Sequence, residues 1–449
     1  DKALHKGIAF SGRLTLVESL RKLLPFQLTE AQERVFREIL NDMVSPYQMN
    51  RLIQGDVGCG KTVIALMAML VAAEDGYQSC LMAPTEILAE QHYINIHRLI
   101  EDLGLKIALL TGGVNERPLG AIERGEIQII IGTHALLEEE VRFRRLGLVI
   151  IDEQHRFGVL QRSRLRAKAQ APDVLVMTAT PIPRTLALTL YGDLDYSVID
   201  ELPPGRSPVI TKVINQSGKA ELYRLIREEI KKGRQVYVVY PVIEGSEELN
   251  LRSAIKGKEA FERLFPEFRV GLLHGRMKTA EKEEVMSAFK NHRLDILVST
   301  TVIEVGIDVP NATVMVIVHA ERFGLSQLHQ LRGRVGRGSE QSYCILLAYE
   351  PLTEEATQRL NAMVRYSDGF SIAEQDLIIR GPGEFFGTRQ SGMPDLKIAS
   401  IVRDSGLIAP AREAASDLIK RDPDLKGYPL LKKAVEEFWQ GKIELFVTG

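Results

Sequence analysis

The sequence has few cysteines and no long apolar run. Its cysteines are Cys59, Cys80 and Cys344, too few and too scattered for a disulfide framework or a zinc site. We therefore expect the protein to function in a reducing compartment. The longest purely apolar stretch is residues 63–73, whereas a membrane span needs about 18 such residues. The sequence thus predicts neither a transmembrane helix nor a signal peptide.

The sequence also lacks an excess of either charge. It contains 57 Lys and Arg against 59 Asp and Glu, a net charge of −2 that neither demands nor excludes a nucleic-acid partner. The hydrophobic fraction of 45% excludes disorder as the main state. A length of 449 residues suggests about three domains. Because the chain begins at Asp1 rather than Met, we expect a fragment or a processed product.

Two stretches of the sequence repeat one rhythm: a short apolar run, a turn with glycine, and a segment of helical periodicity. Near-continuous runs of β-branched residues between helices are typical of parallel strands that are buried on both faces. The predicted strands are residues 51–54, 79–83, 127–131, 148–151 and 174–178, then 235–240, 270–273, 296–299, 314–318 and 343–347.

This pattern predicts an α/β protein with two parallel-sheet lobes and a small, mostly helical C-terminal unit. Residues 202–205 read Leu-Pro-Pro-Gly, which cannot continue a helix or a central strand, so we place a hinge there. The predicted units are a truncated connector at 1–25, a first lobe at 26–204, a second lobe at 205–350 and the helical unit at 351–449. Within that unit, residues 380–392 are predicted to form a glycine-rich loop.

Residues 55–62 match the phosphate-loop pattern G-x-x-x-x-G-K-[ST] at every position. The segment follows an apolar run and precedes a helical pattern, which is the context that this pattern requires. Gly58 and Gly60 let backbone N–H groups turn toward phosphates, and Lys61 can reach the β- and γ-phosphates. The Thr62 hydroxyl can hold Mg²⁺, so ATP and Mg²⁺ are the predicted cofactors.

Two carboxylates follow the apolar run at residues 148–151. Asp152 and Glu153 are therefore expected at the carboxyl end of a buried strand, where open α/β sheets bind ligands. Paired with the phosphate loop, Asp152 is predicted to hold Mg²⁺ and Glu153 to orient and deprotonate the attacking water.

At this point several motifs resemble those of superfamily 2 helicases and translocases. Residues 152–155 (Asp-Glu-Gln-His) look like their DExH box, and 178–181 (Thr-Ala-Thr-Pro) look like the motif that couples hydrolysis to movement. Residues 299–308 look like motif V, and 330–337 fit the Q-x-x-G-R-x-G-R of motif VI. The resemblance implies two RecA-like lobes that close on ATP between them.

The resemblance narrows to the RecG family of bacterial branch-migration motors through residues 24–32, 55–62, 152–159 and 177–185. Residues 375–392 resemble the TRG element, which converts lobe closure into a stroke on duplex DNA and which the Mfd transcription–repair motor shares. By that similarity, Arg380, Arg389 and Gln390 are the residues expected to pass this movement to the DNA. The family also carries an N-terminal wedge domain, and we expect junction recognition to depend on that domain.

The resemblance implies a role for residues in both lobes. Arg334 and Arg337 look like arginine fingers, and Phe26, Gln32, Gly306 and Asp308 look like contacts to the adenine or the ribose. His155, Thr178, Thr180 and Gln330 are predicted to couple the nucleotide site to movement. The predicted DNA contacts are Thr85, Thr111, Gly112, Thr133, His274, Gly275, Arg276 and Thr300.

The implied function is an ATP-dependent translocase on branched double-stranded DNA, a cytoplasmic bacterial monomer for which a single-strand-binding protein is a candidate partner. An Mfd-type motor that works against stalled RNA polymerase stays open, although Gln154 and residues 26–32 favour the RecG type. A nucleotide-gated DNA clamp without turnover is a second alternative, against which Glu153, Arg334 and Arg337 argue. An RNA helicase is a third, and the segment after motif VI disfavours it.

Overall fold

The computed structural model describes residues 6–112, 117–153, 168, 171–180, 194–201, 203, 207–242, 247–300, 309–338, 340–385, 404 and 407–439. None of the helices in these ranges combines the length and the apolar composition that a membrane crossing requires.

The first lobe contains a sheet of seven parallel strands in the order β3-β4-β2-β5-β6-β1-β7. Its strands are β1 (Asn50–Gly55), β2 (Gln78–Met82), β3 (Ile107–Leu110), β4 (Ile129–Gly132), β5 (Leu146–Asp152), β6 (Asp173–Thr178) and β7 (Asp195–Ile199). Its helices are α1 (Thr15–Leu23), α2 (Glu30–Met43), α3 (Lys61–Glu74), α4 (Glu86–Ile100) and the short α5 (Leu119–Glu123). Helix α3 is apolar on nearly every side and is correspondingly buried.

Helix α1 belongs to the packing of the first lobe, although the sequence predicted a connector at residues 1–25. Val17 and Leu20 of this helix are fully buried in the lobe's hydrophobic core. The Glu74 carboxylate accepts hydrogen bonds from the backbone N–H groups of Thr15 and Leu16 at 3.1 and 3.3 Å. An acidic side chain at a helix N-terminus satisfies donors that have no partner within the helix.

The second lobe contains a sheet of six parallel strands in the order β10-β11-β9-β12-β13-β8. Its strands are β8 (Ile210–Ile214), β9 (Gln235–Tyr240), β10 (Val270–Leu273), β11 (Ile296–Thr300), β12 (Ala312–Val318) and β13 (Tyr343–Leu347). Its helices are α6 (Lys219–Lys231), α7 (Glu247–Leu264), α8 (Thr279–Lys290) and α9 (Leu325–Arg332). The two predicted parallel-sheet lobes are thus confirmed.

The C-terminal unit is helical, as predicted. It consists of α10 (Glu354–Arg365), α11 (Gly369–Phe385), α12 (Ile408–Arg421) and α13 (Pro429–Trp439). Helices α10 and α11 pack on each other and on α9, and Leu360, Met363 and Ile372 join the hydrophobic core of the second lobe. Helix α11 runs to Phe385, so the first part of the glycine-rich loop predicted at 380–392 is helical, and residues 386–392 lie outside the described residues. Packing against α9 and α10 outweighs the low helix propensity of its glycines and proline.

Candidate active site

The carboxyl edge of the first sheet is divided between two groups of predicted site residues. The phosphate loop follows β1, Asp152 and Glu153 end β5, and Thr178 ends β6, and these three strands are neighbours in the sheet. Thr85, Thr111 and Thr133 follow β2, β3 and β4, which form the adjacent half. One half of the edge therefore gathers the nucleotide candidates, and the other half gathers the DNA candidates.

The phosphate loop has the backbone conformation that its glycines predict. Gly58 and Gly60 have φ angles of 78° and 91°, in the left-handed region that favours glycine. A Cβ on Gly60 would lie 2.2 Å from Gln32 Nε2, so no side chain fits there. The loop ends at the N-terminus of α3, whose first N–H groups lack acceptors within the helix. This cradle of backbone donors fits a phosphate group.

The Lys61 ammonium is held within the loop by the loop's own carbonyl groups. Its Nζ donates to the carbonyl oxygens of Gly55 and Asp56 at 2.6 and 3.0 Å. The side chain is 9% exposed, and Thr62 beside it is partly exposed.

The side-chain amide of Gln32 stabilises the phosphate loop. Its Nε2 donates to the Cys59 carbonyl at 2.8 Å, while its Oε1 accepts from Thr29 N–H at 2.9 Å as part of a capping box. At 1% exposure its amide faces the protein interior, which differs from the expectation that it faces an adenine. Phe26 is 41% exposed and stays open to a ligand.

The two carboxylates at the end of β5 have opposite electrostatic environments. Burial disfavours ionisation of Asp152, but a hydrogen bond from His92 and the charge of Lys61 outweigh it and lower the pKa of Asp152. Burial and the neighbouring Asp152 raise the pKa of Glu153, against the charges of Lys61 and Arg334. Glu153 has a φ of 54°, a conformation that is uncommon outside glycine and recurs at functional sites. A carboxyl with a raised pKa suits a general base.

The hydrogen bond from His92 was not anticipated from the sequence. His92 lies on α4, is 7% exposed, and its Nε2 is 2.8 Å from Asp152 Oδ2. The other carboxylate oxygen, Oδ1, accepts from the Glu153 N–H at 3.1 Å. Both oxygens of Asp152 therefore have a protein donor.

The two lobes meet at the phosphate loop. Asp56 of the loop accepts hydrogen bonds from His329 Nε2 of α9 and from the Gly369 N–H that begins α11, both at 3.1 Å. Burial opposes ionisation of Asp56, but these hydrogen bonds and the charge of Lys61 lower its pKa. A Cβ on Gly333 of motif VI would lie 3.2 Å from Val57 Cβ. Motif VI thus packs directly on the phosphate loop.

A second contact joins the two coupling motifs across the same seam. Gln330 Nε2 of the second lobe donates to Thr180 Oγ1 of the first at 3.3 Å. The Thr178 hydroxyl in turn accepts from the Thr180 N–H at 3.0 Å. Arg334 is close enough to Glu153 to influence its ionisation, whereas Arg337 Nε donates to the Gly333 carbonyl at 3.0 Å.

Arg332 connects this seam to the C-terminal helices. Its guanidinium donates to the carbonyl groups of Met363, Tyr366 and Ser367 at 2.8–2.9 Å. It also donates to His329 Nδ1 at 3.0 Å. Because an arginine can only donate, Nδ1 of His329 is an acceptor and the proton lies on Nε2, facing Asp56. The phosphate loop, α9 and the α10–α11 turn are therefore linked by one chain of hydrogen bonds.

Replacing Arg332 by methionine should lower the stability of α10 and α11 by about 3–5 kcal/mol. The change leaves three carbonyl groups without their donor in a site where the arginine is 5% exposed. Urea denaturation, with hydrogen exchange at these helices, measures the loss. The control is Arg322→Met, because Arg322 is 51% exposed and its ion pair with Glu321 spans 3.8 Å. Equal losses in the two variants would contradict the proposed role of Arg332.

Several predicted DNA contacts are less accessible than expected. Thr111, Thr133 and Thr300 are 2–3% exposed. The Thr133 N–H donates to the Leu110 carbonyl at 3.2 Å. Thr85 caps α4 by accepting from the Leu88 N–H at 3.3 Å.

The exposed candidates lie in the loops after β3 and β10. Gly112, Gly275 and Arg276 are exposed, and His274 is partly exposed. Burial and the nearby charges of Lys282 and Arg276 lower the pKa of His274. Arg380 of α11 is also exposed, and its Nε donates to Asp376 Oδ1 at 2.9 Å. His155, Gly306, Asp308, Arg389 and Gln390 lie outside the described residues.

The oxygen donors at the site fit Mg²⁺ better than a transition metal. Thr62 and Asp152 supply hard oxygen ligands, and each Asp152 oxygen keeps a lone pair after its hydrogen bond. Within the described ranges, no group of three or more His, Cys, Asp or Glu is arranged to hold a metal ion. All three cysteines are buried, and none of them is in a disulfide.

Successive parts of the chain match known protein families. Residues 29–189 match the DEAD/DEAH box helicase family, and 219–339 match the helicase conserved C-terminal domain. Residues 366–445 match domain 3, C-terminal, of the ATP-dependent DNA helicase RecG.

Individual relatives agree with these matches. The ATP-dependent DNA helicase RecG of Synechocystis is 55% identical over 98% of this chain and 53% of its own length. The RecG of Aquifex aeolicus is 52% identical over 94% of this chain and 54% of its own length. The chain therefore spans about half the length of these relatives.

Solved structures share the fold of this chain. A structure of RecG bound to a three-way DNA junction has a TM-score of 0.76 and 46% identity, and covers 91% of this chain and 54% of that one. Yeast Dbp5 bound to RNA and ADP BeF3, with a TM-score of 0.58 and 18% identity, covers 81% of this chain and 96% of its own and shares the fold alone. From the phosphate loop to the C-terminal helices, the chain belongs to the RecG family of DEAD/DEAH-box helicases.

Proposed function

We propose that this chain is the motor of a RecG-type helicase, which uses ATP hydrolysis to move on double-stranded DNA. Its proposed substrates are stalled forks and Holliday junctions, which it reverses or branch-migrates in recombination and repair. The observation that carries the proposal is the hydrogen bond between His329, which directly precedes motif VI, and Asp56 of the phosphate loop. That contact forms one hydrolysis site from two lobes, so closing the site moves one lobe relative to the other.

The proposed hydrolysis divides its work among residues that the seam brings together. Lys61 and the loop N–H groups bind the phosphates, and Glu153 orients the attacking water and takes its proton. Arg334 and Arg337 stabilise the charge that develops on the γ-phosphoryl group, because guanidinium matches phosphate oxygens. Gly306 and Asp308 are proposed to contact the nucleotide from the second lobe.

Thr62 and Asp152 are the residues proposed to hold Mg²⁺. An ion held there would neutralise negative charge on the phosphates. Asp152 is suited to this work because its pKa is lowered, which keeps its carboxylate ionised.

The proposed DNA track crosses the half of each sheet edge that the nucleotide site leaves open. In the first lobe it includes Thr85 and Gly112, and in the second it includes the loop at residues 274–276. Contacts of this kind position a duplex through its phosphates without reading sequence. Arg380, Arg389 and Gln390 are proposed to deliver the stroke at the end of α11.

The remaining proposals concern the oligomeric state, location, unit boundaries and partner of the protein. We propose a monomer in the bacterial cytoplasm, divided into lobes at residues 26–204 and 205–350 and a helical unit at 351–449. Single-strand-binding protein is a proposed partner.

DNA-stimulated ATP hydrolysis tests the proposed function. The chain should hydrolyse ATP faster with duplex or branched DNA, and the stimulation should fall steeply as salt rises, as expected for phosphate-led binding. A rate that stays flat with and without DNA would favour the nucleotide-gated clamp instead. Stimulation by RNA alone would favour an RNA helicase. A fork-reversal assay with the intact parent protein tests the substrate.

A further inference from the structure

We propose that His92 is a positioning residue, which orients the Asp152 carboxylate and couples DNA contact at α4 to ATP hydrolysis. The inference rests on the proposed function and adds to it a residue that lies outside the motifs described above. It concerns how the first lobe senses DNA.

The first support is the geometry of the carboxylate. His92 Nε2 donates to Asp152 Oδ2 at 2.8 Å, and the Glu153 N–H donates to Oδ1 at 3.1 Å. The backbone donor is fixed by the end of β5, so His92 is the contact that depends on another element. Donors behind a metal-binding carboxylate set its orientation, and their loss weakens metal affinity about 10–100-fold.

The second support is the position of α4. The helix begins after Thr85, at the DNA half of the sheet edge, with Glu86 in its first turn. His92 is seven residues from Thr85, or about 10 Å along the helix axis. Ala89, Ile96 and Ile100 are buried in the lobe, so α4 lies firmly against its sheet.

The geometry of the Asp152 carboxylate and the position of α4 connect the DNA half of the first sheet's carboxyl edge to its nucleotide half. A short helix transmits a displacement of its N-terminus to a side chain two turns away, because its backbone hydrogen bonds keep it rigid. A DNA phosphate at Thr85 would displace α4 slightly on its sheet, and this displacement would tighten the hold of His92 on Asp152. Hydrolysis would then be faster with DNA than without it.

A purely structural role is the competing explanation, because a buried histidine needs a hydrogen-bond partner. The two explanations differ in what they predict for magnesium and for DNA. A structural histidine affects stability alone. A positioning histidine affects the Mg²⁺ concentration needed for nucleotide binding and the ratio of DNA-stimulated to basal hydrolysis.

The experiment compares His92→Ala and His92→Gln with His97→Ala, which changes an exposed histidine on the same helix. Binding of a fluorescent, non-hydrolysed ATP analogue is titrated with Mg²⁺. His92→Ala should raise the half-saturating Mg²⁺ concentration about tenfold. Affinity for the analogue without Mg²⁺ should not change. His92→Gln, which keeps a donor, should recover part of the loss, and His97→Ala should match the unmodified chain.

The ratio of DNA-stimulated to basal hydrolysis is then measured in the same variants, and it should fall in His92→Ala and recover partly in His92→Gln. If alanine unfolds the lobe, His92→Leu fills the volume without a donor and takes its place. If a folded His92→Ala or His92→Leu variant kept both the Mg²⁺ requirement and the ratio of DNA-stimulated to basal hydrolysis, the inference about His92 would be overturned. The proposed function would stand. A lack of DNA stimulation in the unmodified chain would overturn the proposed function and the coupling with it.

Discussion

Replacing Arg334 by alanine should reduce the rate of ATP hydrolysis by about 10³-fold or more, the effect expected for the loss of an arginine finger. The side chain comes from the second lobe, yet its charge acts on the ionisation of Glu153 in the first. The guanidinium is therefore near enough to the carboxylate that we assign as the general base for the two charges to interact. Single-turnover hydrolysis measures the loss, and binding of a fluorescent ATP analogue should change far less than the rate.

Two further variants test the charge at residue 334 and the second predicted finger. Arg334→Lys keeps the positive charge but not the planar fork of donors, so it should recover little of the rate. Arg337→Ala tests the second predicted finger, whose Nε is bound to the Gly333 carbonyl at 3.0 Å. A rate near that of the unmodified chain in Arg334→Ala would show that the second lobe completes the site through other residues.

Replacing Lys61 by alanine should lower hydrolysis by about 10²–10³-fold and also weaken nucleotide binding. The ammonium is the positively charged group of the loop, where it bonds to the carbonyls of Gly55 and Asp56. Its loss removes both the charge that meets the phosphates and the donor that stabilises the loop. Hydrolysis and analogue binding are measured together, and thermal unfolding confirms that the variant is folded.

Cys59→Ala is the matched control within the same loop. Cys59 is 1% exposed, and its backbone carbonyl, which any residue supplies, is the group that Gln32 binds. The control should therefore keep nearly the full rate. Normal turnover in Lys61→Ala would refute the assignment of the phosphate site.

Strands at the centre of each sheet were predictable from the sequence, while three of the four edge strands were not. The periodicity predicted β9, β10 and β13 with their observed ends and missed β3, β7 and β8. Each missed strand lies at the edge of its sheet. Edge strands are less buried, so their apolar runs are short or interrupted by polar residues. Strand β3 has only four residues, and the residues of β8 are partly or fully exposed.

Motifs likewise predicted the phosphate loop and the carboxylate pair but not the contacts between them and other elements. His92 and His329 are buried histidines that each hold an aspartate of the nucleotide site, at distances of 60 and 273 residues along the chain. A motif records residues at fixed spacing, and these pairs have no such spacing. The sequence offered one indication of these contacts, which is that each histidine lies near apolar positions of its helix, α4 or α9. Histidines in such positions are usually ordinary core residues, so the indication does not identify a site.

The local pattern of residues by itself determined the α/β class, the helical C-terminal unit and the position of the phosphate loop, because each depends on short-range periodicity or on glycine conformation. The tertiary structure decided which residues face one another: the bonds from His329 and Gly369 to Asp56, the packing of α1 on the first lobe, and the burial of Gln32, Thr111 and Thr133. The physical reason is that burial and partnership result from packing distant segments together, and no local stretch of sequence contains that information.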